Sequence, residues 1–558
     1  MKSLVFFTLI IFVKLNIFAE LSLTLTKRQL CDLELIMNGG FKPLMGFLCQ
    51  NDYNEVINKM RLVNGELWPI PIILDVKLDF IKSLSTGSEV LLLSPDGHNL
   101  AVLYVEDIWK PNKLEEALKV YGTTDSAHPG VDYLINETYE YYIGGKIKKL
   151  AAPKYYDFTD LRKDPEEIKN YFKEKNIKKI VAFQTRNPLH RAHVELTKLA
   201  MKDLNAHLLL HPTVGLTKPG DVDHFTRVKC YKKLLKYYPE ESITLSLLPI
   251  SMRMAGPREA LWHAIIRKNY GATHFIIGRD HAGPGKDKNG NDFYGPYDAQ
   301  DLVIKYENEI GIKVVPFKQM VYVENLKTYL PEDQVPSELK TLNISGTQFR
   351  QMLHEGKEIP EWFSYPEVVE ELKKVYKEKT KQGLTIFFTG LSGAGKSTIA
   401  NALTIKLMEI QNRSITILDG DIIRTHLSNE LGFSKEHRSI NVRRVGFVAN
   451  EITKNGGIAI CALIAPYEKD REYNHNLINP NGKYIEVFIS TPLSVCEERD
   501  EKGLYAKARE GLIPNFTGIS DPYEDPTNPD LIIDTSELDV DKSIEIIIEY
   551  IKRNGLIN

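Results

Sequence analysis

Leu384-Thr385-Ile386-Phe387-Phe388-Thr389-Gly390-Leu391-Ser392-Gly393-Ala394-Gly395-Lys396-Ser397 begins as a short buried strand and ends as a glycine-rich loop. Ile399, Leu403 and Leu407 follow it at helical spacing. Strand, loop and helix in that order are the context a phosphate-binding loop requires, which a chance match would lack. Backbone N–H groups from Gly390 to Thr398 would surround the phosphates of ATP. Lys396 would reach the β/γ oxygens, and the Ser397 hydroxyl would ligate Mg²⁺. This part of the chain therefore reads as an α/β kinase.

Downstream, Ile417-Leu418-Asp419-Gly420-Asp421 places two carboxylates at a strand end facing that loop. Asp421 is suited either to accept a hydroxyl proton or to organise magnesium. Arg424, Arg438 and Arg444 form a cationic set for an anionic acceptor. Surface ion pairing with Glu430 or Glu436 is the competing account for one of them.

Upstream lies a second anion signature. Ile180-Val181-Ala182-Phe183 reads as a buried strand, and Gln184-Thr185-Arg186-Asn187-Pro188-Leu189-His190-Arg191-Ala192-His193 follows it. A helix is predicted just past Pro188, because proline suits a first turn. His190 and His193 then share a helical face near free backbone N–H groups and the positive end of the dipole. Two imidazoles there can donate to phosphate oxygens as charge builds on phosphorus, and Arg186 adds a planar fork for an oxyanion. A zinc pair is the alternative, but neither HExxH nor a third ligand accompanies the histidines. His274-Phe275-Ile276-Ile277 reads as another buried strand, followed by Gly278-Arg279-Asp280-His281-Ala282-Gly283-Pro284-Gly285. Ligands of parallel sheets collect at such carboxyl ends.

The rest of the chain sets bounds. Its 558 residues exceed what one core serves, so three or four domains are expected. A net charge of −3 gives no reason to expect a nucleic-acid partner. Five scattered cysteines without CxxC spacing argue against a disulfide framework and for a reducing compartment. From Leu21 to about Lys149 the chain reads as short strands and turns, with apolar runs at Pro69–Val76 and Ser88–Leu93 and a turn at Ser94-Pro95-Asp96-Gly97. Asn38-Gly39-Gly40-Phe41 reads as packing and turn rather than ligand. Residues 1–20 carry the apolar run Leu4 to Val13, then Ile17-Phe18-Ala19, which has signal-peptide grammar and is short for a membrane span. A packed strand or helix, or a misassigned start, would account for the same residues. Chemistry that consumes ATP favours a cytoplasmic location, with no membrane partner.

Residues 21–375 resemble the ATP sulfurylase family. The residues that carry the likeness are Gln184–Asn187 with His190 and His193, Gly278–Gly285, Ser251-Met252-Arg253-Met254-Ala255-Gly256-Pro257-Arg258-Glu259-Ala260 and Ile344-Ser345-Gly346-Thr347-Gln348-Phe349-Arg350. The resemblance implies a β-rich PUA-like domain (21–155), then a Rossmann-like nucleotidyltransferase domain with a small following subdomain (156–375). It implies attack of sulfate on the α-phosphorus of MgATP, giving adenylyl sulfate (APS) and pyrophosphate. Gln184, Arg186 and the Ala282 backbone would hold sulfate. Gln184, Thr185, Arg186, Asn187, Gly278, Arg279, Asp280, His281 and Met320 would line the ATP site. Thr185, Arg186, Asn187, His190 and His193 would serve catalysis.

After a Lys/Glu-rich connection at 376–383, residues 384–558 resemble APS kinase. The residues that carry this likeness are the phosphate loop, Asp419-Gly420-Asp421, Leu431-Gly432-Phe433-Ser434, Asn441–Gly446, Gly503-Leu504-Tyr505-Ala506-Lys507-Ala508-Arg509 and Phe516-Thr517-Gly518-Ile519. By that resemblance Phe433 and Phe516 sandwich the adenine of APS. Arg424, Arg438, Asn441 and Lys507 hold its phosphosulfate, and Asp421 is catalytic in 3′-phosphorylation to PAPS. One departure is Ile464-Ala465-Pro466, where many relatives carry serine and a phosphoenzyme role has been assigned to it. Alanine has no hydroxyl, so direct transfer is expected. A PAPS-sensing, non-catalytic C-terminal domain is the alternative, and the intact Lys396, Ser397, Asp419 and Asp421 argue for catalysis. A different adenylyltransferase acting on a phosphorylated acceptor is a further alternative for the first half. Related sulfurylases assemble, so a homo-oligomer is expected.

Overall fold

The computed structural model describes residues 21–218, 220–376, 382–500 and 502–557. The apolar segment 1–20 and most of the connection 376–383 lie outside them. The chain divides between Lys373 and Lys374 into two compact units.

The first unit opens with a seven-stranded sheet built around Tyr141–Lys149, against which Asn99–Tyr104, Gly46–Phe47, Leu74–Val76 and Asp107–Trp109 pair antiparallel. The turn at Ser94–Gly97 closes the hairpin between Glu89–Leu93 and Asn99–Tyr104. Three helices, Lys27–Met37, Gln50–Lys59 and Lys113–Tyr121, interrupt a region whose sequence reads as strands and turns. The first of them did carry a signal. Thr26 accepts from the Gln29 N–H and Gln29 reaches back to the Thr26 N–H, a capping box. Of the apolar run Pro69–Val76 only Leu74–Val76 is strand, since prolines lack the N–H a ladder needs. Phe41 is fully buried between Trp68 and Trp262, with ring centroids 5.6 and 5.1 Å away. One hydrophobic core thus runs from this sheet into the next domain.

That domain holds five parallel strands: β1 (Ile180–Phe183), β2 (His207–Leu210), β3 (Ile243–Leu245), β4 (His274–Ile277) and β5 (Lys313–Pro316). Their order is β3-β2-β1-β4-β5, so the winding reverses between β1 and β4. The ends of those two strands border the crevice where ligands of doubly wound sheets bind. Helix α1 (Arg191–Leu204) leaves the β1 loop, and α2 (Gly256–Asn269) precedes β4 with Pro257 in its first turn. A small three-stranded antiparallel sheet follows, with Met320–Val323 at its centre.

A buried ionic joint stiffens the entry to this domain. Both carboxylate oxygens of Asp157 accept from Arg162 Nη2 at 2.8 Å, and Oδ2 pairs with His224 Nε2 at 2.9 Å. Although burial opposes it, these partners hold the Asp157 carboxyl down at about 2. An unfolded aspartate titrates near ~3.9, so this stability is complete above about pH 4 and is lost as pH falls toward about 2. We expect Asp157→Asn to lower the unfolding midpoint at pH 7 and to flatten the acid limb below pH 4, measured by thermal denaturation across pH.

The second unit is a parallel sheet of β6 (Gly383–Thr389), β7 (Ile415–Asp419), β8 (Ile458–Ala462), β9 (Gly482–Ile489) and β10 (Leu531–Ile533), ordered β7-β8-β6-β9-β10. All seven residues of β6 are buried. Helix α3 (Lys396–Ile410) buries Ile399, Leu403 and Leu407, the positions its sequence periodicity picks out, and α4 is Lys435–Lys454. The chain is therefore α/β throughout, with the β-rich domain first.

Candidate functional site

In the first unit the two arginine-bearing loops leave adjacent parallel strands, β1 and β4, and the second is also glycine-rich. The β1 loop is held by its own side chains. Thr185 Oγ1 donates to Asn187 O at 2.9 Å, and Tyr231 Oη donates to the same carbonyl at 2.7 Å. Gln184 is buried at the strand end, its Nε2 3.9 Å from Met252 Sδ and its Oε1 without a protein partner. Its amide thus retains hydrogen-bonding capacity. Arg186 is not free: Nη1 lies 2.5 and 2.6 Å from the two carboxylate oxygens of Asp221. An anion bound by Arg186 would share it with that carboxylate.

His190 is the N-cap of α1 and His193 sits three residues on. The His190 backbone N–H donates to His193 Nδ1 at 3.2 Å. Nδ1 therefore carries no proton, and in the neutral ring the proton sits on Nε2. Burial, with His193 beside it, pulls His190 to about 3, and burial alone pulls His193 to about 4. Both rings are thus neutral hydrogen-bond donors at ordinary pH, not imidazolium ions. Phe349 and Phe363 flank the His190 ring, with centroids at 4.7 and 4.8 Å.

The β4 loop is bent by residues in the left-handed region: Asp280 at φ 51° and Ala282 at φ 58°, opposite Met254 at φ 62° and Gly256 at φ 49°. Such backbone persists only where surroundings over-determine it, and it gathers at functional sites. Here the surroundings are explicit. Glu259 accepts from the Arg253 and Ala255 N–H groups at 3.0 and 2.9 Å, and the Gly256 N–H donates to Ala282 O at 3.2 Å. His263 Nδ1 meets His281 Nε2 at 3.1 Å, so the second loop is tied to α2 as well. At Gly283 a Cβ would fall 1.8 Å from Asp280 Oδ1, so a larger residue there would have to displace that carboxylate. Nothing would obstruct a Cβ at Gly278, whose surroundings are open. Arg279 is exposed and reaches Gln319 Oε1 at 3.4 Å, so the loop adjoins the strand that buries Met320. Lys218, which the sequence did not single out, donates from Nζ to Pro284 O at 2.7 Å.

In the second unit Gly393 and Gly395 have φ of 73° and 94°, the freedom the loop needs to wrap Ala394 beneath it. Gly390, Leu391 and Ser392 lead in from β6. Lys396 is buried, donates to Leu391 O at 2.6 Å and is drawn down by burial to about 8. Ser397 Oγ donates to Asp419 Oδ2 at 2.6 Å, and Thr398 follows in the first turn of α3. Asp419 also caps the next helix, accepting from the Asp421 N–H at 3.0 Å. Of the two carboxylates Asp419 is the one bonded to the loop, while Asp421 lies near enough to act on the Lys396 charge. Asp421 is exposed and pairs with Lys502 Nζ at 2.5 Å.

The predicted acceptor residues cluster in part. Arg424 stacks on the Phe433 ring at 4.3 Å and donates to Gly432 O at 3.0 Å. Arg438 is bound by Phe433 O at 2.8 Å and also by Asn515 O and Thr517 Oγ1, so it ties the chain beside Phe433 to the chain beside Phe516. Phe433 is 58% exposed, open to a planar ligand, and Phe516 packs edge-on to Tyr505 at 5.0 Å. Asn441 is buried with Oδ1 unpartnered, while Lys507 is exposed on the helix Leu504–Arg509. Arg444 instead forms a surface ion pair with Glu430 at 2.6 Å, the competing account, and drops out of the set. Ala465 has φ 42° and its carbonyl accepts from Arg471 Nη1 at 2.7 Å.

Two α/β units, each with anion-suited loops at the carboxyl edge of a parallel sheet, define a nucleotide-handling transferase. The PUA-like domain family matches residues 16–152, the ATP-sulfurylase family residues 159–375 and the adenylylsulphate kinase family residues 382–534. A sulfate adenylyltransferase of Neurospora crassa is 51% identical over 96% of this chain and 94% of its own length. One from Phaeosphaeria nodorum is 50% identical over the same shares. A solved structure described as a hexameric APS kinase from Thiobacillus denitrificans is 34% identical, covers 98% of this chain and 96% of its own, and has a TM-score of 0.57. The chain belongs to the sulfate adenylyltransferase family, with an ATP-sulfurylase domain followed by an adenylylsulphate kinase domain.

Proposed function

We propose that the chain makes APS in its first unit and phosphorylates it to PAPS in its second. The observation that carries the reading is the paired crevice, one at the β1/β4 reversal and one at the β6 loop, each with a cation and with backbone in the left-handed region. In the first, a sulfate oxygen bonds to the α-phosphorus of ATP as the bridge to the β-phosphorus breaks, and pyrophosphate leaves with the electron pair. Gln184, Arg186 and the Ala282 N–H orient sulfate. Thr185, Asn187 and the loop Gly278–His281 seat the nucleotide, Met320 lies beside the adenine, and His190 and His193 donate to the non-bridging oxygens.

In the second unit the ribose 3′-oxygen of APS bonds to the γ-phosphorus, ADP departs, and the hydroxyl proton passes to Asp421. Lys396 and the loop N–H groups neutralise the β/γ oxygens. The adjacent Ser397 hydroxyl and Asp419 carboxylate are hard oxygen donors that suit Mg²⁺, which would supply charge neutralisation of the phosphates. Phe433 and Phe516 receive the adenine, and Arg424, Arg438, Asn441 and Lys507 the phosphosulfate. Transfer is direct, because Ala465 offers no hydroxyl. Rapid-quench experiments should therefore trap no acid-stable phosphoprotein on the reaction path, and trapping one would refute direct transfer.

A homo-oligomeric cytoplasmic enzyme is the accompanying proposal. It is supported by the relative described as hexameric and by five free cysteines. Among the described residues no helix is long and apolar enough to cross a membrane. The regulatory reading of the second unit has one observation in its favour: relatives matched over 94% of their length are named for the sulfurylase activity alone. Incubation with MgATP, labelled sulfate and pyrophosphatase, then chromatography, decides between them. Both APS and PAPS are expected, and APS alone would leave only the first half of the proposal.

A further inference from the structure

The segment Glu361–Tyr365, far along the chain from the β1 loop, closes over the start of α1. The Arg191 N–H donates to Phe363 O at 3.2 Å, Arg191 Nε donates to Glu361 O, and its guanidinium lies 4.3 Å from the Tyr365 ring centroid. Within this clamp the buried Ser364 places Oγ 2.9 Å from His190 Nδ1. Phe349 and Phe363 restrict where the imidazole can lie, but two hydrocarbon faces cannot choose between its nitrogens. A hydroxyl can.

We propose that Ser364 is a positioning residue for adenylyl transfer: its O–H donates to His190 Nδ1 and so keeps the proton of the neutral ring on Nε2. Resting on the sulfurylase reading, this deepens it. His193 is already locked in that tautomer, because its Nδ1 accepts the His190 backbone N–H. With Ser364 the two rings become matched donors. The opposite tautomer of His190 would turn a lone pair rather than an N–H toward phosphate oxygens, replacing attraction with repulsion. The pair is fixed by different means: a backbone N–H within the helix cap for one, a side chain 174 residues distant for the other.

The test is a ranking of variants. Wild-type enzyme is first assayed for sulfate-dependent exchange of labelled pyrophosphate into ATP. No exchange would refute the sulfurylase reading itself, independently of Ser364. Given exchange, Ser364→Ala should lower kcat about tenfold, the size of one well-aligned hydrogen bond, with KM for MgATP and sulfate within about twofold. Ser364→Thr, which keeps the hydroxyl despite added bulk, should recover most of the loss. In protein labelled with ¹⁵N-histidine, the His190 resonances should show the Nε2–H form in wild type and threonine variant and a tautomer mixture in the alanine variant. A packing role predicts the reverse order, with alanine better tolerated than threonine and no tautomer change. Threonine no better than alanine overturns the proposal. Should Ser364→Ala fail to fold, Ser364→Cys, similar in size and a weak donor, is read in its place by the same criteria.

Discussion

Lys396→Ala is expected to abolish PAPS formation while leaving sulfate-dependent ATP–pyrophosphate exchange at the wild-type rate. The ammonium lies buried at the head of α3, 2.6 Å from a carbonyl of its own loop, where bound β/γ oxygens would gather. Its loss removes a fixed charge from a site that water does not screen, and one such group is worth about a hundredfold or more in rate. Shape should survive, because the glycines at positive φ and the Ser397–Asp419 bond keep the loop in place without Lys396. The sulfurylase residues belong to the other compact unit. Coupled assays for APS and PAPS on one preparation report both activities. If PAPS output persists in the variant, the phosphate loop is not the kinase centre. If the wild type makes APS but never PAPS, the sensing reading replaces catalysis.

His193 gives the second large effect. His193→Ala should reduce adenylyl transfer about a hundredfold in both directions, since a transition-state contact is lost. It should also weaken the start of α1 by about 1 kcal/mol, because the ring is an acceptor in the cap. His193→Asn separates these roles. Its amide oxygen can still accept the His190 N–H, yet no donor remains where Nε2 was. Asparagine should therefore match alanine in activity loss and match wild type in unfolding midpoint. Because burial holds both rings near 3 to 4, neither gains charge between pH 8 and 5. A fall in kcat across that interval that disappears in His193→Asn would show that the ring titrates during turnover.

These residues also mark how far the sequence could be read. Motifs that are local in the chain were legible. The strand–loop–helix at Lys396, the histidine pair at a helix start and the strands β1, β4 and β6 all follow from spacing and apolar runs. The α/β class with a β-rich first domain was legible for the same reason. The helix Lys27–Met37 was missed although Thr26 and Gln29 announce it, because the alternation of neighbouring strands coloured the whole region. What stayed out of reach is long-range pairing. Arg186 with Asp221, His190 with Ser364 and Asp421 with Lys502 join residues 35, 174 and 81 positions apart, and no local pattern encodes such partners. Left-handed backbone at Asp280 and Ala282 was equally hidden, since neither residue type demands it.

Carrying both compact units on one polypeptide has a consequence for supply. If the second unit phosphorylates APS as proposed, each translated molecule delivers one maker and one consumer of APS, and their ratio cannot drift with expression level. Under the proposed reading, a labile mixed anhydride never meets a cell stocked with the first catalyst and short of the second, and flux is set by turnover numbers rather than by gene dosage.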